Sequence, residues 1–121
     1  MADETLPKSE RLHGATAVAG LFEHGKGLSI GCLRIKYLVR EGSPEEPARI
    51  VVSVPKRSFK RAVKRNLLKR RIRESYRRQK GLLPAGVDVL FIYTLPTELP
   101  YEAVYADMTA ALTAIADAFR P

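Results

Sequence analysis

The sequence of 121 residues contains few of the residues that build disulfide-linked or metal-bound folds. Its one cysteine, Cys32, cannot form an internal disulfide, and with two isolated histidines it cannot complete a structural zinc site. No apolar run approaches the roughly 18 residues that a membrane-spanning helix needs. The acidic start, residues 1–4, lacks the apolar segment of a secretory signal. We therefore expect a cytoplasmic protein whose architecture needs no metal.

Acidic residues are nearly absent from one long stretch of the chain. Residues 56–80 hold 13 of the 21 lysines and arginines but only one acid, Glu74, whereas acids outnumber bases in the rest of the chain. Ordinary soluble surfaces intersperse both signs, so a merely solvated helix face explains this stretch poorly. A polyanionic partner explains it better, with nucleic acid ranked before an anionic membrane surface.

Hydrophobic periodicity predicts the order helix, three strands, helix, strand, helix. Residues 33–39 alternate apolar and polar side chains as a half-buried strand does, and the run 87–93 is apolar enough for the centre of a sheet. The helices are expected near residues 16–24, 60–79 and 101–119. Gly81 should end the second helix. The pattern predicts a single α+β or α/β sandwich domain over residues 11–121, after a flexible N-terminal tail of residues 1–10.

The second helix is expected to be amphipathic. At about 100° per residue, its apolar side chains share one sector that should pack on the sheet: Ala62, Leu68, Ile72 and Tyr76. Most of its cations occupy the opposite half: Lys60, Lys64, Arg70, Arg71, Arg73, Arg77 and Arg78. Like charges at i, i+4 destabilise a helix, and a bound polyanion compensates for that cost. A membrane surface fits less well, because the apolar side of this helix is needed for the sheet.

Arg65 and Asn66 depart from this pattern. Arg65 falls inside the otherwise apolar sector, and Asn66 is a poor helix former in a mid-helix position. Both fit a site-specific contact, since Arg offers a bidentate fork for phosphate and Asn both donates and accepts hydrogen bonds. An arginine at the edge of the packing and an ordinary polar asparagine explain the two positions equally well.

The segment from Ser53 to Glu74 closely resembles the signature of the bacterial ribonuclease P protein subunit. That family reads approximately S-V-x-K-K, a short spacer, and then A-V-x-R-N-R-h-K-R-h-h-R-E, where h is apolar. Here the sequence is Ser-Val-Pro-Lys-Arg, a spacer, and Ala-Val-Lys-Arg-Asn-Leu-Leu-Lys-Arg-Arg-Ile-Arg-Glu. Further matches flank the segment at Arg11-Leu12, 21–25, 87–89 and Tyr101-Glu102. The similarity spans about residues 11–119.

The sequence departs from the family pattern at three places. Leu67 stands where the second arginine of the motif is usual, Tyr93-Thr94 where Ala-Arg is frequent, and Val18 where the first helix often has an aromatic residue. On the helical wheel Leu67 falls on the cationic side, so we expect it to be substantially exposed and of little value to the core.

The resemblance implies both a fold and a function. The fold is an αβββαβα sandwich of the α+β class with a left-handed βαβ crossover, similar to the second domain of ribosomal protein S5. The holoenzyme removes the 5′ leader of precursor tRNA by magnesium-dependent hydrolysis, and its RNA subunit carries the catalysis. The protein is expected to bind that RNA subunit 1:1 and to hold the leader in a cleft between its first helix and the sheet. Mg²⁺ is expected to be bound mainly by RNA.

The resemblance also assigns site residues. The expected RNA-binding residues lie in the motif and just before it: Lys56, Arg57, Lys60, Arg61, Lys64, Arg65, Asn66, Lys69, Arg70 and Arg73. The expected leader cleft uses Phe22, Arg34 and Lys36. Phe22 fits a base-stacking role, worth about 1–3 kcal/mol per base, but packing in the core is at least as good an interpretation. Arg34 and Lys36 suit backbone phosphates or a plainly solvated sheet face.

The residues offer no protein active site. A metal-dependent nuclease needs clustered carboxylates, whereas the acids here are scattered, and neither His13 nor His24 has a nucleophile motif beside it. We therefore expect no catalytic and no metal-binding residue in the protein itself. The alternatives are a stand-alone RNA-binding protein of the ribosomal type and a nuclease in its own right. The motif argues against the former, and the missing carboxylate cluster argues against the latter.

Overall fold

A computed structural model describes residues 15–39, 47–57 and 59–118. The elements are α1 (Ala15–His24), β1 (Lys26–Ile30), β2 (Leu33–Val39), β3 (Arg49–Ser53), α2 (Ala62–Arg77), a short 3₁₀ turn (Lys80–Leu82), β4 (Val87–Tyr93) and α3 (Tyr101–Ala118). This succession confirms the expected αβββαβα order. The predicted tail, residues 1–10, lies outside the described residues. Among the helices described, none combines the length and apolar character required to cross a membrane.

The four strands form one sheet in the order β1-β2-β4-β3. β1 pairs with β2 and β2 with β4 in antiparallel fashion, whereas β3 and β4 run parallel. Phe91 of β4 therefore lies between Ile35 of β2 and Val52 of β3. Because α2 joins two adjacent parallel strands, the basic segment is the crossover of a βαβ unit. The left-handed sense expected for this crossover stays a prediction.

The larger core lies between one face of the sheet and the helices α2 and α3. Alternate residues of β2 and β4 point into it, as the alternation in residues 33–39 predicted for β2. Its fully buried members include Leu33, Ile35, Val89, Phe91, Leu68, Ile72, Met108, Leu112 and Ile115. The opposite face of the sheet carries a smaller cluster in which Leu21 of α1 packs with Leu90. The sheet is thus covered by two helices on one side and one on the other.

Helix α2 is shorter at both ends than the sequence predicted. It begins at Ala62 rather than Lys60, and it ends at Arg77, four residues before Gly81. Gly81 lies within the 3₁₀ turn, so its expected role as the helix stop is wrong. Ala62 is exposed, because the first turn of the helix extends past the packed region. Ser75 is the remaining buried residue of α2. Its hydroxyl donates to the Ile72 carbonyl at 2.8 Å, which satisfies a polar group inside the core.

The β1–β2 hairpin is fastened to α3 at its two-residue turn. Gly31 has a φ of 53°, which favours glycine, and a Cβ there would collide with the Asp107 carboxylate. That carboxylate accepts the Cys32 backbone N–H at 2.9 Å. Burial, with a further effect of Asp107, raises the pKa of the Cys32 thiol to about 12. Cys32 is therefore a small, buried residue with an unreactive thiol.

Candidate functional site

Helix α2 is held by a continuous apolar stripe that fixes which of its side chains face outward. Leu68, Ile72 and Tyr76 are almost fully buried, and the Tyr76 ring lies 6.3 Å from the ring of Phe91 in β4. This confirms the predicted packing side, apart from Ala62. The outward side of the helix is therefore set by core packing and does not depend on a bound partner.

The structure exposes most of the residues that the sequence assigned to RNA binding. Exposed members are Lys56, Arg57, Lys60, Arg61, Lys64, Asn66, Arg70 and Arg73, while Arg65 and Lys69 are half-buried. The segment before α2 is anchored by Phe59, a buried residue whose ring lies 5.9 Å from that of Tyr93. Sequence reasoning missed this anchor. It holds the chain against β4 between the cations Lys56 and Arg57 and the start of the basic helix.

Arg65 has a structural role in addition to its charge. Its Nη1 donates to the backbone carbonyls of Phe59 at 2.7 Å and of Lys60 at 2.9 Å. These two bonds tie the helix to the segment that precedes it. The position of Arg65 inside the apolar sector is thus explained by a packed arginine at the edge of the core. Asn66, by contrast, is exposed, and its side chain makes no hydrogen bond to the described residues.

Two cations of α2 are paired with an acid that comes much later in the chain. Glu98 accepts a hydrogen bond from Lys64 Nζ at 2.7 Å, and its other oxygen lies 3.0 Å from Arg71 Nη1. Arg71 also donates to the Leu99 carbonyl. These contacts, above all the bond from Lys64, hold the pKa of Glu98 below its ordinary value. No sequence pattern indicates this pairing, since 34 residues separate Lys64 from Glu98.

The single acid of the basic stretch neutralises two further cations. Glu74 accepts two hydrogen bonds from Arg77, at 3.0 and 2.6 Å, and one from Arg78 at 2.9 Å. It therefore pairs at i+3 and i+4 toward the C-terminus, and not with Arg70. The bonds from Arg77, followed by those from Arg78, lower the pKa of Glu74 to about 2.

Ion pairing divides the cationic side of α2 into two flanks. Lys64, Arg71 and Arg78 are spaced by seven residues and so lie along one line of the helix. All three are paired with acids, and this line borders α3; we call it the acid-paired flank. In the described part of the chain no acid pairs with the following cations: Lys56, Arg57, Lys60, Arg61, Lys69 and Arg70. With Arg65, Asn66 and Arg73, we call this set the open basic surface.

The expected leader cleft lies on the opposite side of the sheet. Arg34 and Lys36 stand directly across from Ile92 and Leu90 of β4, on the face that α1 covers in part. Arg34 is exposed, Lys36 is half-buried, and the Phe22 side chain is 53% exposed. The core interpretation of Phe22 is therefore wrong, because its neighbour Leu21 fills the space under α1. An exposed aromatic residue on α1 and two cations on β2 thus lie on the same side of the sheet.

Leu67 is half-buried rather than substantially exposed, so this expectation is wrong. It lies on the acid-paired flank, three residues after Lys64 and four before Arg71, where long side chains surround it. Val63, four residues earlier, is 79% exposed. A second departure, Tyr93, is buried; its hydroxyl donates to the Thr97 carbonyl at 2.6 Å and accepts the Leu99 N–H at 3.1 Å. Tyr93 thus holds the loop that carries Glu98.

No metal-binding cluster is present in the part of the chain that the structure describes. No group of three His, Cys, Asp or Glu side chains there has the arrangement to hold a metal ion. The buried acid Asp88 is engaged by Arg49 in two hydrogen bonds of 2.9 and 2.8 Å. It therefore stabilises the edge of the β3–β4 pair.

Comparison with known proteins identifies the family. The family model described as "Ribonuclease P" matches residues 6–116. The chain belongs to the ribonuclease P protein family. Among curated relatives, the ribonuclease P protein component of Azoarcus sp. is 33% identical over 109 residues, which cover 88% of this chain and 87% of that protein. That of Porphyromonas gingivalis is 45% identical over 80 residues, or 64% of this chain. The match spans 57% of the length of the Porphyromonas protein.

Solved structures of ribonuclease P proteins share the fold. The protein from Thermotoga maritima superposes with a TM-score of 0.76 at 25% identity, covering 88% of this chain and 97% of that one. The protein from Staphylococcus aureus gives a TM-score of 0.77 at 21% identity, covering 93% and 100%, and this likeness concerns the fold alone. The expected α+β sandwich of this family is therefore confirmed, with its four-stranded sheet and three helices.

Proposed function

We propose that this protein is the protein component of ribonuclease P and assists the removal of the 5′ leader from precursor tRNA in the cytoplasm. The observation that carries the proposal is the open basic surface, where cations that no described acid pairs with gather at the start of α2. Fixed outward by the core, they offer a run of phosphate-binding groups without reorganisation. The partner is the ribonuclease P RNA, in a 1:1 complex.

The open basic surface combines general and specific contacts. Lys56, Arg57, Lys60, Arg61, Lys69, Arg70 and Arg73 supply charge for phosphates. Arg65 positions the segment that carries several of these cations, and the exposed Asn66 amide is suited to contact a base edge or a ribose hydroxyl. Lys64 is left out of the proposed contacts because Glu98 holds its ammonium group.

The second contact surface is the open sheet face beside α1. Here the exposed ring of Phe22 is suited to stack a base of the single-stranded leader, and Arg34 and Lys36 are suited to its phosphates. This surface and the open basic surface lie on opposite sides of the sheet. One small protein can therefore contact the RNA subunit and the substrate leader at the same time.

We assign the catalysis to the RNA subunit. The chemistry is hydrolysis of one phosphodiester with Mg²⁺, which carboxylates, phosphates and water bind best. The described residues of the protein do not supply such a carboxylate set. We therefore propose that RNA holds the magnesium ions and that the protein contributes binding and positioning.

Reconstitution tests this function. Precursor tRNA is incubated at low magnesium with the protein alone, with bacterial ribonuclease P RNA alone, and with both. Leader removal should occur efficiently only in the combined reaction. Cleavage by the protein alone would instead show a nuclease, and tight binding without any stimulation would show a stand-alone RNA-binding protein.

A charge-reversal pair locates the interface in the same assay. Lys60→Glu combined with Arg70→Glu should abolish stimulation, since both residues belong to the open basic surface. Lys26→Glu is a single-reversal control away from this surface, because Lys26 is an exposed cation on β1, the edge strand farthest from β3 in the sheet. Equal loss with Lys26→Glu would contradict the proposed interface.

A further inference from the structure

Glu98 occupies a position that the proposed function does not use. It is the acid through which the β4–α3 loop contacts the cationic side of α2, and its two oxygens face Lys64 and Arg71. The loop is held on both sides of it, since the Tyr93 hydroxyl bonds the Thr97 carbonyl and the Leu99 N–H. Glu98 is thus placed by buried structure rather than by chance contact at the surface.

Like a phosphate, the Glu98 carboxylate carries negative charge and has oxygens that accept hydrogen bonds from cations. It therefore occupies the cations that a phosphate would otherwise bind. Lys64 adjoins the open basic surface, since Arg65 follows it directly in α2, yet its ammonium is bound by Glu98 Oε1 at 2.7 Å. Arg71 remains tied to the Leu99 carbonyl in addition to Glu98. A phosphate approaching this line of the helix meets a fixed negative charge and cations that already have partners.

We propose that Glu98 is a specificity-determining residue that closes the acid-paired flank of α2 to RNA phosphates and confines RNA binding to the open basic surface. The inference rests on the proposed function. Its physical basis is competition, because Glu98 satisfies Lys64 and repels a phosphate from the same site. Unrelated duplex RNA can approach any part of the outward side of the helix, whereas the cognate RNA is expected to use the open basic surface. The closed flank therefore weakens binding of unrelated RNA more than binding of the cognate RNA.

Glu98→Gln tests this role, because glutamine keeps the size and one acceptor oxygen while it removes the charge. Binding to a duplex RNA of unrelated sequence should strengthen about eightfold at 0.1 M salt, which is the effect of one additional phosphate contact. The slope of log K against log salt should steepen by about 0.9. Affinity for ribonuclease P RNA should change less than twofold, so the ratio of the two affinities falls.

Two further variants distinguish the release of Lys64 from a general loss of negative charge. Lys64→Gln added to Glu98→Gln should return duplex binding to that of the unmodified protein, because the released cation is gone. Glu102→Gln is the charge-matched control, since Glu102 is an exposed acid in the first turn of α3 that faces no cation among the described residues. It should leave the affinity ratio unchanged.

Several results would overturn the proposal. These are unchanged duplex binding in Glu98→Gln, equal gains on both RNAs, the same gain in Glu102→Gln, or a gain that persists without Lys64. A thermal melt of each variant accompanies the titrations, and a loss of stability without a gain in duplex affinity would reduce Glu98 to a structural contact. If the unmodified protein binds neither RNA with a salt-dependent affinity, the proposed function itself fails.

Discussion

The Arg65 guanidinium is bonded to the Phe59 carbonyl, 2.7 Å from Nη1, across the junction between the anchored segment and helix α2. The same nitrogen also reaches the Lys60 carbonyl. One motif arginine therefore fixes the relative placement of the cations before the helix and those within it. The Arg65 side chain therefore supplies both a positive charge and a structural contact.

From this relationship we predict that Arg65→Ala both destabilises the protein and weakens holoenzyme assembly. The loss of a hydrogen bond to a charged group costs about 1.5–3 kcal/mol. Asn66→Ala should weaken assembly with little change in stability, because the amide makes no bond within the described residues. Urea unfolding and RNA titration on the same samples separate the two effects.

Arg78→Ala is the control for this pair. Arg78 is exposed and bonded to Glu74, so it lies outside the open basic surface and should affect assembly least. Equal losses of RNA affinity at Arg65, Asn66 and Arg78 would contradict the division of the helix into two flanks.

The open basic surface predicts a strong salt dependence of RNA binding. If the six cations that no described acid pairs with each contact a phosphate, log K should fall against log salt with a slope near −5, at about 0.9 per contact on duplex-like RNA. The measurement is a titration of the RNA subunit between about 0.05 and 0.4 M salt, values chosen to span roughly one decade. A slope near zero would contradict phosphate binding by this surface.

Leu67→Arg should cost modest stability. Because the Leu67 side chain is half-buried, replacing it should cost more stability than a substitution at a fully exposed position. The cost stays small because the aliphatic part of the arginine covers the same apolar area while its charge reaches solvent. We expect a loss of about 1 kcal/mol, or a fall of about 4 °C in melting temperature. RNA affinity should be held or raised. Val63→Arg is the control, since Val63 is largely exposed and its replacement should leave the melting temperature unchanged.

The stability of the protein should depend on pH through Glu74. Its pKa is lowered to about 2 in the folded protein, so the unfolded chain takes up the proton first as pH falls. The stabilisation is complete above the ordinary pKa of 4.5 and is lost between about 4.5 and 2. After allowance for solvent screening its size is on the order of 1 kcal/mol. Urea unfolding across this window should show a flatter acid decline for Glu74→Gln; a decline as steep as that of the unmodified protein would contradict this assignment.

The order of elements and much of the core followed from sequence pattern alone. The strands Leu33–Val39 and Val87–Tyr93 have the bounds that their apolar runs predicted, and the buried stripe of α2 is the one that its spacing indicated. These features are local, because a period of two or of 3.6 residues is written into the chain itself. The family, too, was indicated by a local feature, the motif within the basic stretch.

The availability of each cation was decided by tertiary structure. Lys64 and Arg70 are both cations of the same basic stretch, and the sequence does not distinguish them. In the structure Glu98 binds Lys64, whereas no described acid binds Arg70. Likewise the placement of Leu21 under α1 turned Phe22 outward, and the Phe59 anchor gave Arg65 its two carbonyl partners. Charge pairing depends on distance in space, and residues as far apart in sequence as Lys64 and Glu98 meet only when α2 and the β4–α3 loop pack on the same core.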